Sequence, residues 1–445
     1  ESDRLGTLYG RFDISDDDGA LGIDRLEGGL KHTELLELSV RGVMSDIQKR
    51  DGLDFDLDLR VPDVSLVVEE FGGEGGPSRA LRFVGALDGR DENFNFDGDM
   101  TIGKSKLTGK LSGRLEGERP ILSGDLSTDA FYLDDLGLEP EEADYSALAQ
   151  TKRDADERVF TDTPLGLEAL REFDLALRIR LAQIRGVEID IQRVRGSINL
   201  KQGVLDVTPM EVLFVGGNAS TDLHIDASRE TPTVRLNFLG DNINLDRLLS
   251  QTRVDAPLNG TVDVQTALSA SGNSARDLAS SATGQFDVAV ANGRVLTSLL
   301  DLTGVNIWSW MLSESRRRGY SRLNCLIAHF TLDQGVAKTD SFLIDTDNVQ
   351  VTGTGSIDLK KEMLDLQFEP RPKRRRLIES TTSFSLVGPL SSPDIEVGGG
   401  AARRVVSDTL VSPINFLGSL LPFVGGSSGD EDNPCLERVR GDPHP

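Results

Sequence analysis

Residues 197–228 read SINLKQGVLDVTPMEVLFVGGNASTDLHIDAS, and the fold is decided there. An alternating strand through Ile198 and Leu200 turns at Gly203. A second strand follows, and a third is reached across Gly216–Gly217. The same pattern returns at 329–360, HFTLDQGVAKTDSFLIDTDNVQVTGTGSIDLK, with its turn at Gly335. A more degenerate copy occupies 11–42, RFDISDDDGALGIDRLEGGLKHTELLELSVRG, turning at Gly19. Self-similarity of this kind marks a stacked, repeat-built architecture. The stacked unit is a β-meander, so function is expected along a surface rather than in one pocket.

Outward from the repeats, the chain keeps a period of two. Leu175, Leu177 and Ile179 alternate with Ala176, Arg178 and Arg180. Val187, Ile189 and Ile191 alternate with Glu188, Asp190 and Gln192, after which the apolar phase slips to Val194, Ile198 and Leu200. That slip predicts a bulge or turn near Gln192–Arg193. The alternation resumes at Val234, Leu236 and Phe238, at Val262 and Val264, at Phe286 and Val288, and at Leu364 and Leu366. About 20 such segments are predicted, at the short spacing of antiparallel β.

Alternation gives one apolar and one charged sheet face. A second sheet could cover the apolar face, a barrel could close on it, or a curved sheet could hold apolar ligand against it. About 20 strands at about 4.8 Å make a sheet of ~95 Å, against a radius of gyration near ~22 Å for a compact chain of this length. The reading adopted is a mostly β chain: an elongated, curved antiparallel sheet forming a repeat-built groove, lined by the apolar residues just named. A few short helices are expected, at 274–281, at 296–314 and as an amphipathic C-terminal helix at 401–424. The predicted divisions are an N-terminal β-repeat portion (1–138), a charged insert (139–168), a C-terminal β-region (169–400), that helix, and a flexible tail (425–445).

The net charge of −25 argues against nucleic acid, because no basic field exists to displace phosphate counterions. Two Trp and four Tyr are too few to stack on sugars. The longest apolar stretch, Ile414–Val424, falls well short of the ~20 residues of a spanning helix. The chain opens at Glu1 rather than Met, which reads as a fragment or processed chain whose membrane anchor would lie upstream.

Catalytic signals are weak. His32, His224, His329 and His444 are scattered and form no metal or base motif, and no nucleophile elbow or P-loop occurs. Asp16, Asp17 and Asp18 precede Gly19 but lack the register of a calcium loop. No catalytic residue, metal or cofactor is therefore expected, and the chain is read as a non-enzyme. Two basic runs stand out, Arg316–Arg317–Arg318 and Lys373–Arg374–Arg375–Arg376. They are candidates for anionic headgroups or an acidic partner. Cys325 and Cys435 fit no metal spacing; a disulfide and two free thiols both remain open.

Several segments read together resemble the AsmA-like family of bacterial envelope proteins. They are RGSINLKQGVLDVTPMEVLFVGGNASTDLHID (195–226), LNFLGDNINLDRLL (236–249), the stretch LNGTVDVQTALSASGNSARDLASSATGQFDVAVANGRV (258–295), VTGTGSIDLKKEMLDLQFEPRPK (351–373) with FSLVGPLSSPDIEV (384–397), and residues 105–136. The resemblance implies a periplasmic protein of a Gram-negative bacterium, tethered to the inner membrane and related to bridge-like lipid-transfer proteins. It implies phospholipid and membrane as partners, and a groove that shields acyl chains between inner and outer membranes. The alternative it leaves is an envelope assembly factor, acting through a protein partner on outer-membrane protein or lipopolysaccharide assembly. A periplasmic setting also favours the Cys325–Cys435 disulfide. No catalytic residues come with the family.

Overall fold

The computed structural model describes residues 6–16, 20–32, 35–49, 51–70, 78–90, 93–114, 119–136, 158–186, 191–249, 258–296, 320–347, 349–373, 383–397 and 403–405. They are mostly strand, as the alternation predicts. The chain divides into two compact units, Glu1–Glu142 with Glu168–Thr208, and Ala143–Leu167 with Pro209–Pro445. The first unit thus includes Glu168–Thr208.

Unit 1 begins with β1 (Thr7–Ser15), β2 (Gly22–His32), β3 (Leu36–Asp46), β4 (Asp51–Val61), β5 (Leu81–Arg90), β6 (Asn93–Ile102), β7 (Ser105–Arg114) and β8 (Ile121–Thr128). Each pairs antiparallel with the next. After the two-residue β9 (Phe131–Tyr132), the chain returns as β10 (Asp174–Leu181), β11 (Ile184–Arg185) and β12 (Ile191–Lys201). β10 lies parallel to β8 and antiparallel to β12. This parallel pair departs from the expected all-antiparallel sheet. Two strands that run the same way cannot be joined by a hairpin; they need a crossover, and the stretch holding the charged insert supplies it.

β13 (Val204–Phe214) runs across the division between the units. Unit 2 then carries β14 (Gly217–Asp226), β15 (Thr233–Asn244), β16 (Leu258–Ser271), β17 (Thr283–Leu296), β18 (Tyr320–Asp333), β19 (Val336–Thr346), β20 (Val349–Asp358), β21 (Met363–Pro372), β22 (Phe384–Pro389), β23 (Asp394–Val397) and β24 (Arg403–Val405). From β14 to β24 every neighbour in sequence is the antiparallel neighbour in space.

The first and third repeats are three-stranded meanders, β1–β2–β3 and β18–β19–β20, and the second sets β12, β13 and β14 in the same order along the chain. In the second and third, a Gln-Gly pair makes the first turn. Gln202 and Gly203 have φ of 54° and 79°, and Gln334 and Gly335 have 50° and 78°. Two consecutive left-handed residues are what a two-residue hairpin needs to match strand twist.

Among the described residues three short α-helices decorate the sheets: α1 (Val64–Glu70), α2 (Leu245–Leu249) and α3 (Ala275–Ser281). α3 is the helix expected at 274–281, capped by Ser274, whose hydroxyl accepts from the Asp277 amide at 3.1 Å. α1 was missed. Its Val-rich sequence reads as strand, but Asp63 takes the Ser65 amide at 2.9 Å at its start and tips the segment to helix. Two further expectations are corrected. Arg403–Val405, inside the predicted C-terminal helix, pairs as a strand with β23; the rest of that helix, like 297–314, lies outside the described residues. The predicted bulge at Gln192–Arg193 is absent, for β12 keeps one register through Ile184↔Ile191 and Leu181↔Val194. The apolar phase slips because Ile191 and Val194 are buried on opposite faces of an unbroken strand.

Candidate lipid-binding face

The register turns alternation into continuous apolar rows. In unit 1 one row runs Phe12, Leu26, Gly42, Phe55 and Leu87 from β1 to β5. It continues through Phe96, Leu111, Gly124, Leu177 and Ile198 on β6, β7, β8, β10 and β12. Ten strands contribute and no polar side chain interrupts. At about 4.8 Å per strand the row is roughly 43 Å long.

Unit 2 repeats the arrangement. One row runs Ala219, Gly240, Val264, Val288 and Ala328, then Phe342, Gly353, Phe368, Phe384 and Val397. A parallel row holds Leu223, Leu236, Leu268, Gly284 and Leu332, then Ala337, Ile357, Leu364 and Gly388. Side chains of this face pack laterally in small clusters. Val349, Val351, Leu366 and Phe368 form one, flanked by Phe342, Ile344 and Phe384. Ala282, Leu332 and Ala337 form another, flanked by Leu268, Phe286 and Phe330.

Many of these side chains stay half-exposed, including Leu26, Leu87, Leu111, Leu177 and Ile198 in unit 1 and Val264, Val288 and Phe342 in unit 2. Neighbours on the same face shield these side chains from the side. In an ordinary sandwich such positions are fully buried.

Most predicted groove residues fall on these faces. Leu175 opposes Leu200, which is 2% exposed, and Leu177 opposes Ile198. Ile179 opposes Gly196 in the same strand pair. Val234, Leu236, Val264, Phe286 and Val288 are half-buried. Phe238, Val262, Leu364 and Leu366 are buried. Ile191 sits on the other face of β12. Val187 and Ile189 lie outside the described residues, as do Arg316, Arg317, Arg318, Arg374, Arg375 and Arg376. Lys373 is described, and its ammonium donates to Asp345 at 2.9 Å. Cys325 is disulfide-bonded; Cys435, the only other cysteine in the sequence, lies outside the described residues.

The opposite face is a charge ladder. Asp97, Lys110, Asp125 and Arg178 are successive cross-strand partners. Lys110 reaches Asp97 at 2.6 Å and Arg178 reaches Asp125 at 2.6 Å. The Arg178 guanidinium, hydrogen-bonded to Asp125, holds that carboxyl below its ordinary range. Asp97 in the same way raises Lys110. This face stays in water, and the alternating signs stop its charges from repelling one another.

Sequence reasoning missed one cluster. Lys104, Lys106, Arg180, Arg193 and Arg195 line a cleft of about 690 Å³ in unit 1. They come from β7, the turn before it, β10 and β12, so no run of basic residues announces them. Arginines spaced two apart on the polar phase of an alternating strand were the signal available, at Arg178–Arg180 and Arg193–Arg195.

Comparison with known proteins follows the same lines. The sequence matches the AsmA family over residues 4–342. It is 24% identical over 369 residues to the AsmA family protein YhjG of Escherichia coli K12, covering 80% of this chain and 54% of that protein. The chain thus spans about half the length of this curated relative. No solved structure matches it.

Proposed function

The chain belongs to the AsmA family of bacterial envelope proteins, and from that premise we propose that it is a lipid-binding module. Its apolar rows shield phospholipid acyl chains while headgroups stay in water, and lipid moves along them between the inner and outer membranes. The setting proposed is the periplasm, with a tether to the inner membrane, and the role is carriage rather than catalysis.

One observation carries the reading: a ten-strand apolar row in which Leu26, Leu87, Leu111, Leu177 and Ile198 stay half-exposed. Every 100 Å² of such surface that an acyl chain covers is worth about 2.5 kcal/mol. Half of a ~30 Å hydrocarbon core, about 15 Å, is the depth one acyl chain spans. A row of roughly 43 Å therefore has room for more than one chain. Because it repeats apolar residues and glycine without a polar stop, no polar group pins a chain at one position. That is what movement along a face requires.

The test is to extract the purified 445-residue chain and identify bound lipid by mass spectrometry, then to measure uptake of fluorescent phospholipid. Co-purified phospholipid and saturable uptake are expected. A chain that carries none and takes up none overturns the reading. Uptake that survives charges placed in the apolar row would instead favour an assembly factor working through a protein partner.

A further inference from the structure

The basic cleft of unit 1 stands against the character of the chain. The protein carries a net charge of −25, yet the cleft gathers five cations, Lys104, Lys106, Arg180, Arg193 and Arg195, against one carboxylate, Asp129. Elsewhere on this face Asp97, Lys110, Asp125 and Arg178 alternate in sign, and where like charges meet, as at Arg60 and Arg82, one carboxylate, Asp58, binds both. Here Arg180 and Arg195 are direct cross-strand partners. Like charges placed directly opposite destabilise an antiparallel pair. Three of the cations, Lys106, Arg180 and Arg195, are engaged within the fold. Asp99 holds Lys106 at 2.7 Å, and Asp125, already bound by Arg178, is 3.7 Å from Arg180. Lys104 lies 5.6 Å from the centre of the Tyr132 ring, so its charge faces a π-surface.

The place matters as much as the charge. The cleft lies at strand ends: the turn into β7, the ends of β8 and β10, and the start of β12. Leu181 and Val194, which also line it, are a cross-strand pair belonging to the apolar face. The cleft therefore straddles the rim of the sheet, with cations on the charged side and the last apolar pair beside them.

We propose that this cleft binds a phosphate-type anion, its guanidinium groups providing planar, paired donors suited to phosphate oxygens. The chemistry fits a phospholipid headgroup, whose acyl chains would pass over the rim onto the apolar row, and it equally fits free phosphate. In its lipid form the inference rests on the acyl-chain reading above; as an anion site it stands alone.

The experiment compares three chains: the unaltered protein, a cleft variant (Arg180→Gln, Arg193→Gln and Arg195→Gln), and a control variant (Lys201→Gln, Arg235→Gln and Lys338→Gln) with the same change in net charge at exposed strand positions. Each is titrated with inorganic phosphate by calorimetry and tested for capture on phosphatidylcholine vesicles with and without phosphatidylglycerol. Far-UV circular dichroism and thermal melts check folding, and Arg193→Gln alone serves if the triple variant melts early. The cleft variant should lose binding by about tenfold or more, and the control should not. Loss of anionic vesicle capture, with or without loss of phosphate binding, assigns the cleft to headgroups. Loss of phosphate binding alone assigns it to a free anion. Equal binding by all three chains, or equal loss in both variants, overturns the proposal. If no phospholipid co-purifies but cleft-dependent phosphate binding persists, the acyl-chain reading falls and the anion site stands.

Discussion

Gly85 and Gly98 stand directly opposite each other on β5 and β6, and the ring of Phe96 lies across both. A Cβ on either glycine would come within 2.6 Å of that ring. At Gly98 it would also meet the Val84 carbonyl oxygen and the Gly85 Cα, which are backbone and cannot swing away. Phe83 stacks on the same ring at 3.9 Å between centroids. The glycines are a floor on which aromatic rings lie flat, and this keeps the apolar face low and broad. Gly98→Val should lift Phe96 and destabilise unit 1 by about 1–3 kcal/mol. A lowered thermal midpoint would show it, and an unchanged one would contradict the close approach.

Leu177 lies next to the end of its row, half-exposed, between Gly124 and Ile198. Leu177→Asp puts a charge where acyl chains are proposed to pass, but the side chain can still reach water. Lipid uptake should fall by about tenfold, the equivalent of roughly 1.4 kcal/mol. Circular dichroism should stay at the wild-type signal. Unaltered uptake would remove this row from the lipid path.

The carboxyls of the charged face give a pH dependence. Arg82 and then Arg60 hold Asp58 low, Lys106 and Thr108 hold Asp99 low, and Arg178 holds Asp125 low. A carboxyl whose folded pKa lies below its unfolded value, near 3.9, contributes its full stability above that value. The contribution is lost as pH falls through the unfolded value to the depressed folded one. Thermal midpoints should therefore hold from pH 7 to about pH 5 and drop below about pH 4. These pairs are exposed, so each is worth little and salt should flatten the effect. Melts across pH at low and high salt decide the matter.

Glu362 is 6% exposed and receives the backbone amide of Val159 at 2.5 Å, with the Phe160 amide at 3.4 Å. Arg276 closes the arrangement, donating to the Phe160 carbonyl at 2.6 Å. Together they clasp the latter part of the charged insert within unit 2. Glu362→Gln removes the charge that strengthens these bonds and should cost about 1–3 kcal/mol. Faster limited proteolysis within residues 158–167 is the expected sign, and wild-type resistance would show that the clasp is unimportant.

Reduction supplies another test, because Cys325 is disulfide-bonded. A reductant should lower the melting midpoint, by an amount consistent with about 2–4 kcal/mol. No shift would mean the bond constrains little of the unfolded chain.

The sheet was legible in the sequence because period-two alternation is enforced on every strand by one apolar face. Leu175, Leu177 and Ile179 announce their face without any tertiary knowledge. What was not legible depended on register or on a local competitor. Ile191 looked like part of the apolar phase, but a strand buried on both faces breaks strict alternation. Val64–Glu70 has strand composition, and one capping aspartate outweighed it. The cleft cations are dispersed along the chain from Lys104 to Arg195, and only pairing of β8 with β10 brings them together. No local pattern encodes a parallel pairing across a crossover.

That pairing also has a temporal consequence. β1 to β4 and β5 to β8 can zip hairpin by hairpin, each closing a short loop on a microsecond scale. The β8–β10 junction must instead wait for the chain to travel out and return between Thr128 and Asp174. Loop entropy grows only slowly with length, about 0.6 kcal/mol per doubling, but the search for a non-local register slows assembly more than any hairpin does. Until it succeeds, β8 and β10 are unpaired edges of two partly built sheets. The apolar row is thus the last feature of unit 1 to become continuous as the chain folds.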